Sequence, residues 1–409
     1  MLERGITGRV VLSLLPALLI ALPWIAESRP VTQTKTLSKS ADQLGSQFGF
    51  DLFSRLRSSS GGSNAFISPV SVAMVLSMLY NGAAGETARA IAKVLHIEGM
   101  KLDDVNNKVM TLRTALKPAG SQYELSIANS IWARQGMEFE QSFLDRNRQF
   151  FGAEIAAVNF AAPQTLDRIN GWVNKNTGGH IPKIIDKIGA AHVMFLINAV
   201  YFHGKWKNQF DPKYTKPQAF ELSDHSKLEV PMMARTGRFL YRSGDRHQAV
   251  SIPYEGDKIS MVLLLPEKGL ALDELLKQLD ANRWDGALDA FRTSDGEVRL
   301  PRFKMNYQAT LNDALNSLGM GIAYDINRAD FTMMRKQRDL VLSEVKHKTY
   351  VEVNEEGTTA SAATSAGISV TSMRTDGPFS FVADRPFIVA IKEDSTGAIL
   401  FLGAVKNPQ

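Results

Sequence analysis

The sequence contains no cysteine. Disulfide staples, thiolate nucleophiles and cysteine metal sites are excluded, so stability has to come from packing. Blocks of Lys and Arg like those of nucleic-acid-binding arms are also missing. The net charge of +5 over 409 residues therefore reads as a dispersed soluble surface, and no nucleic-acid partner is expected. The chain has no Gly-x-Ser-x-Gly elbow, no His-Glu-x-x-His helix and no phosphate-binding Gly-x-x-x-x-Gly-Lys-Ser/Thr loop. Gly204-Lys205 runs into Trp206, and Gly319-Met320-Gly321 lacks a third glycine. The 7 histidines are scattered, and the one close acid–histidine pair on a patterned strand, Glu344 and His347, lies on opposite faces of it. Nothing asks for a metal, a cofactor or an enzyme.

A long apolar span is lacking too. The run from Val10 to Ala26 contains Pro16 and Pro23 and falls short of the roughly 20 residues that a membrane helix needs. Arg4 and Arg9 precede it, which is the layout of a secretory signal. Ala26 suits the cleavage position, whereas Trp24 stands where a small residue is preferred. Residues 1–26 are therefore expected to be a signal peptide or an uncleaved N-terminal anchor, and 27–40 a polar spacer. The folded domain is expected over 41–409. The expected location is secreted, periplasmic or extracellular, with membrane anchoring as the alternative.

The whole chain is 44% hydrophobic and 22% charged, ample for a core. Leu44, Phe48, Leu52 and Leu56 mark one helix face. Asn64 to Ser71 reads as a short strand running into a helix, with Ser68 as N-cap and Pro69 as first helical residue. That helix, Val70 to Tyr80, is apolar nearly all round and belongs at the centre. Tyr123–Trp132 alternates as a strand, and Phe139–Phe151 returns to helical spacing. Val193 to Phe202 is an almost unbroken apolar strand, as expected for burial on both faces. Asn198 interrupts it and needs hydrogen-bond partners, from a satisfied polar cluster or from a site.

Short strands follow over Leu228–Met233, Phe239–Arg242, Gln248–Pro253 and Ile259–Leu265. Helical spacing covers Leu272–Phe291 and Ala309–Leu318, with an extended stretch at Val298–Phe303 between them. From Leu340 to Asn354, Val345, His347, Thr349, Val351 and Val353 share the inward face. His347 reads there as a core histidine satisfied by its neighbours. Helices and strands mix without regular βαβ alternation, so the fold class is α+β.

The stretch after that strand is unusual. Every residue from Gly357 to Gly367 is Gly, Ala, Ser or Thr. Such a composition ordinarily marks a flexible linker. It also costs little side-chain entropy to order, and nothing in it is too bulky to enter a sheet.

The residues resemble the serpin family, in particular its secreted bacterial members. The resemblance covers 41–409 and rests on Asn64–Ser71, Asn170-Gly171-Trp172-Val173, Asn198–Phe202 with Gly204-Lys205-Trp206, Leu300–Phe303, Ala329-Asp330-Phe331, Asp384–Phe387 and Phe401-Leu402-Gly403. It implies three β-sheets surrounded by about nine helices, and a monomeric suicide inhibitor of serine proteases. Residues 355–378 would be the reactive-centre loop. A protease cleaves it as an acyl-enzyme, and the loop then inserts as a new strand between Val193–Phe202 and Leu340–Asn354. Loop insertion of this kind is a known way to release stored strain. About 15 inserted residues would carry the protease roughly 50 Å.

The resemblance also implies residue roles. Glu355, Glu356, Gly357, Thr358, Thr359, Ala360, Ser361, Ala362, Ala363 and Thr364 would form the hinge. Thr359 departs from the family, which often has Glu there. Ser68, Ser71, Asn198 and His347 would be the polar cluster where the sheet opens. Trp206, Arg302 and Glu355 would hold the point where the loop first enters. The family's spacing from Gly357 would put the reactive bond at Thr371-Ser372, suited to elastase- or subtilisin-like proteases. Arg374-Thr375, suited to trypsin-like ones, is the alternative. A non-inhibitory binding or chaperone-like role is the competing function.

Overall fold

A computed structural model describes residues 44–59, 62–117, 123–189, 192–244, 246–358 and 377–409. The leader, the spacer and the two expected reactive bonds lie outside the described residues. The order is α1 (Ser46–Ser59), β1 (Ala65–Ile67), α2 (Pro69–Tyr80), α3 (Gly85–Val94), α4 (Leu102–Ala115), β2 (Tyr123–Arg134), α5 (Gln141–Arg146), β3 (Glu154–Val158), α6 (Gln164–Asn176), β4 (Met194–Lys205), β5 (Lys216–Glu221) and β6 (Lys227–Ser243). It continues with β7 (His247–Pro253), β8 (Ile259–Pro266), α7 (Leu272–Lys277), α8 (Ala281–Asp289), β9 (Arg292–Pro301), β10 (Phe303–Thr310), α9 (Asn312–Leu315), β11 (Glu344–Val353), β12 (Gly357–Thr358), β13 (Phe379–Val382), β14 (Phe387–Glu393) and β15 (Ile399–Val405). This is the mixture of helices and strands expected for an α+β fold.

One sheet has six strands in the order β10-β11-β12-β4-β2-β3. The other two sheets share hydrogen bonding through the long β6, giving the path β1-β15-β14-β8-β7-β6-β9-β13, with β5 paired to β6. The apolar α2 is buried along all its faces except at its last residue and packs against β2, β4 and β15.

β4 is covered on both faces, as its unbroken apolar run implies. Leu196, Val200 and Phe202 join the main core. Phe195, Ile197 and Ala199 pack beneath α6 and the following Ile181, Ile184 and Ile185. β11 alternates strictly between half-buried and buried residues, with Val345, His347, Thr349, Val351 and Val353 inward. Half of each residue pair thus faces the core, which fixes the strand's register.

Some boundaries differ from the periodicity. The helix expected over Phe139–Phe151 is α for one stretch and then a π-helical turn, Asn147–Phe151. Arg113 Nη1 donates to the Phe150 carbonyl at 2.6 Å, satisfying one of the end carbonyls that the helix leaves open. Leu272–Phe291 is two helices, because Asp280 caps a new one by accepting from the Arg283 N–H. Ala309 and Thr310 stay in β10, paired with His347 and Lys346. The two short strands expected between Leu228 and Arg242 are one 17-residue strand.

Candidate functional site

β4 and β11 lie side by side in parallel, with Phe195–Tyr201 opposite Glu344–Tyr350. Above that seam they diverge, and the two residues of β12 fill the gap. Thr358 pairs with Val353 on one side and Gly204 on the other, while Gly357 pairs with Lys205. The start of the hinge is therefore already a strand of this sheet.

Gly357 explains how it fits. Its φ is +154°, and a Cβ there would meet the Gly204 carbonyl oxygen at 2.1 Å. Only glycine permits that approach. Thr358 is fully buried, and its hydroxyl is 2.8 Å from the Tyr254 hydroxyl. Burial drives the Tyr254 pKa far above its ordinary range, so the phenol stays neutral. Tyr254 in turn stacks on Trp206, with ring centroids 4.5 Å apart.

Trp206 holds the turn between β11 and β12. Its indole N–H donates to the Asn354 carbonyl at 2.9 Å and its backbone N–H to the Glu356 carbonyl at 2.8 Å. The Phe210 N–H donates to the Glu355 carbonyl at 2.9 Å. Arg302 grips the Glu355 carboxylate through Nε at 2.8 Å and Nη2 at 2.6 Å, and the Thr215 hydroxyl donates to the same group. Burial alone would raise the Glu355 pKa, but these hydrogen bonds outweigh it and hold the carboxyl below its usual range. Trp206, Arg302 and Glu355 thus meet at one point, with Thr215 and Tyr254 as members that the sequence reading missed.

Lower in the seam, His347 lies directly opposite Asn198. His347 Nε2 accepts from the Ser68 backbone N–H at 3.1 Å, so Nδ1 carries the proton and donates to Asn198 Oδ1. Asn198 Nδ2 donates to the Ser71 hydroxyl and to Asn129 Oδ1. All five residues are buried. Ser68 does stand at the start of α2, but it contributes its backbone, and its side chain makes no cap. Asn129 escaped the sequence reading. Its signal was weaker than that of Asn198, because Ser126 and Ser130 flank it in the strand.

Burial lowers the His347 pKa to about 3, with the Asn198 contact pulling weakly the other way. The folded state thus binds this proton less readily than the unfolded chain, whose histidine titrates near 6.5. The stabilisation is complete above that value and is lost as pH falls from about 6.5 towards 3. At pH 5 the loss from this group reaches ~2 kcal/mol. His347→Gln should flatten the decline in thermal midpoint between pH 7 and pH 5. Parallel declines in the two proteins would refute the assignment.

The family model described as Serpin (serine protease inhibitor) matches residues 43–408. The chain is 35% identical to leukocyte elastase inhibitor of Sus scrofa over 375 residues, covering 88% of this chain and 98% of that protein. It is 34% identical to Serpin B9 of Homo sapiens over 354 residues, covering 84% and 93%. Among solved structures, the native thermophilic serpin tengpin superposes with a TM-score of 0.82 at 31% identity, covering 89% of this chain and 93% of that one. Two expectations are corrected. The curated relatives are eukaryotic, so the narrower likeness to secreted bacterial members is unsupported. Leukocyte elastase inhibitor and Serpin B9 are intracellular serpins, which overturns the secreted, periplasmic or membrane-anchored location and leaves the signal peptide without support. Among the described residues no helix is long and apolar enough to cross a membrane.

Proposed function

The chain belongs to the serpin family of serine protease inhibitors, and we propose that it traps elastase- or subtilisin-like proteases by completing the strand that Gly357 and Thr358 begin. It is an inhibitor and not an enzyme. The domain would span 41–409, with 355–378 as its loop. The observation that carries the reading is β12 itself, a two-residue strand seated between β11 and β4 and continuous with the small-residue stretch.

The two registers can be continued beyond Thr358. Counting down β11 and down β4 independently places Thr364 opposite both His347 and Asn198, which already share a row. Thr358, Ala360, Ala362, Thr364 and Ala366 would face inward, and all are small and uncharged. The polar cluster of Ser68, Ser71, Asn198 and His347 would be the bond set that insertion opens, and the contacts of Trp206, Arg302 and Glu355 the anchor it starts from.

The same count bears on the reactive bond. β11 begins at Glu344 and β4 at Met194, so Gly367 is the last residue with partners on both sides. An acyl bond at Thr371 would come to rest just beyond the sheet, with the protease pressed against the end of the molecule. Cleavage after Arg374 would leave three more residues of tether, about 10 Å of slack. That favours Thr371-Ser372 over Arg374-Thr375.

Incubation with pancreatic elastase, subtilisin and trypsin, followed by denaturing electrophoresis, tests the function. A denaturation-resistant adduct is expected with elastase or subtilisin. Only cleaved chain with all three would sink the reading in favour of a non-inhibitory role. The mass of the released C-terminal peptide separates cleavage after Thr371 from cleavage after Arg374.

A further inference from the structure

A cavity of about 500 Å³ lies at the end of β6, away from the loop-insertion seam, lined by Tyr241, Arg242, Ser243, Arg292 and Ser294 among others. Two arginines border it, and each guanidinium reaches a backbone carbonyl. Arg242 Nη1 reaches the Gly286 carbonyl at 3.5 Å, and Arg292 Nη1 donates to the carbonyls of Asp289 at 3.1 Å and Phe291 at 2.7 Å. Among the described residues neither arginine forms an ion pair, and Asp295, next to Ser294, is paired with Arg238 instead. Carbonyl contacts orient a guanidinium without neutralising it, so its remaining N–H groups can still meet an anion.

His247, at the start of β7, has a buried Nε2 with no hydrogen-bond partner. Burial and then the Arg242 charge hold this imidazole below its ordinary range. The two serine hydroxyls add donors that can turn towards an oxyanion. Tyr241 gives the cavity a rigid flat wall, since its ring is stacked on Phe379 at 3.9 Å with only 3° between the planes.

We propose that this cavity binds a small ligand carrying a tetrahedral oxyanion, a phosphate or sulfate ester, beside a flat apolar group. Paired arginines match the oxygen geometry of such an anion, and charge-assisted hydrogen bonds are the strong class. Tyr241 supplies the surface for the apolar part, in keeping with sites that combine an apolar wall with a few placed polar groups. The site is independent of loop insertion and of the identity of the protease.

Calorimetric titration of the full chain with phenyl phosphate, phenyl sulfate and inorganic phosphate tests it. Saturable binding of a phenyl ester is expected, tighter than that of inorganic phosphate, and the two esters distinguish a dianionic from a monoanionic ligand. Arg242→Gln and Arg292→Gln should each weaken it about ten-fold. Both changes lie outside the seam, so the thermal midpoint and the yield of protease adduct should stay as in the parent. Equal affinity in the double variant, or no saturable binding of either ester to the parent chain, would overturn the proposal.

Discussion

Thr358→Arg is expected to convert the inhibitor into a substrate, with the loop still cleaved but the covalent adduct lost. Thr358 is fully buried between β11 and β4 against the Tyr254 hydroxyl. The nearest anchored carboxylate, Glu355, is already held by Arg302. A guanidinium placed there would be an uncompensated buried charge costing several kcal/mol. Such a charge would unseat β12 from the gap it fills in the sheet, so insertion would have to bury it afresh and has little margin to absorb that cost. Its new backbone hydrogen bonds contribute roughly 1 kcal/mol each, while ordering costs about 1–2 kcal/mol per residue. If insertion stalls, deacylation finishes first and the protease leaves intact. The adduct yield should fall at least about ten-fold, because a deficit of 1.4 kcal/mol in the competing step already gives that factor. Thr358→Ser, which keeps the hydroxyl, is the control. An adduct yield in Thr358→Arg equal to that of the parent would rule out insertion through this residue.

Asn198→Leu should give the largest loss of stability among single changes in the seam. Leucine fills the volume but leaves the Ser71 hydroxyl, Asn129 Oδ1 and the His347 Nδ1–H without their partner. A buried polar group left unsatisfied costs about 1–3 kcal/mol, and here three are affected in one change. The thermal midpoint should drop on the order of 10 °C. Ser71→Ala removes a single contact and should cost much less. A midpoint for Asn198→Leu no lower than that of Ser71→Ala would show that the network is not what holds the seam closed.

Both arguments depend on features that the sequence revealed unevenly. The alternation of Val345, His347, Thr349, Val351 and Val353 was legible because a half-covered strand has to display a period of two. Asn198 stood out because an amide in an apolar strand demands partners. Which partners it takes depends on β2 and α2, whose positions are set by tertiary packing. Hence Ser71 entered only through the family resemblance, and Asn129 not at all. Tyr254 was equally silent: it lies 104 residues from Thr358, and nothing local marks it as the floor of the gap. The π-helical turn before Gly152 likewise has no local signal in the sequence.

The tight fit of Gly357 against the Gly204 carbonyl has a consequence for parity. From Gly357 to Gly367 both alternating sets of residues are small: Thr358, Ala360, Ala362, Thr364 and Ala366 on one, Thr359, Ser361, Ala363, Ser365 and Gly367 on the other. A strand displaced by one residue would therefore bury side chains no bulkier than the intended ones, and strands with no marked difference between faces are prone to such slips. The loop carries no means of correcting an off-by-one error along its own length until Ile368 and Val370. Its alignment has to be decided before it moves, at the single place where a backbone without a side chain is locked against another. A one-residue deletion between Thr358 and Gly367 should therefore still allow the strand to enter. The displaced acyl bond would then betray the change at the far end of the sheet.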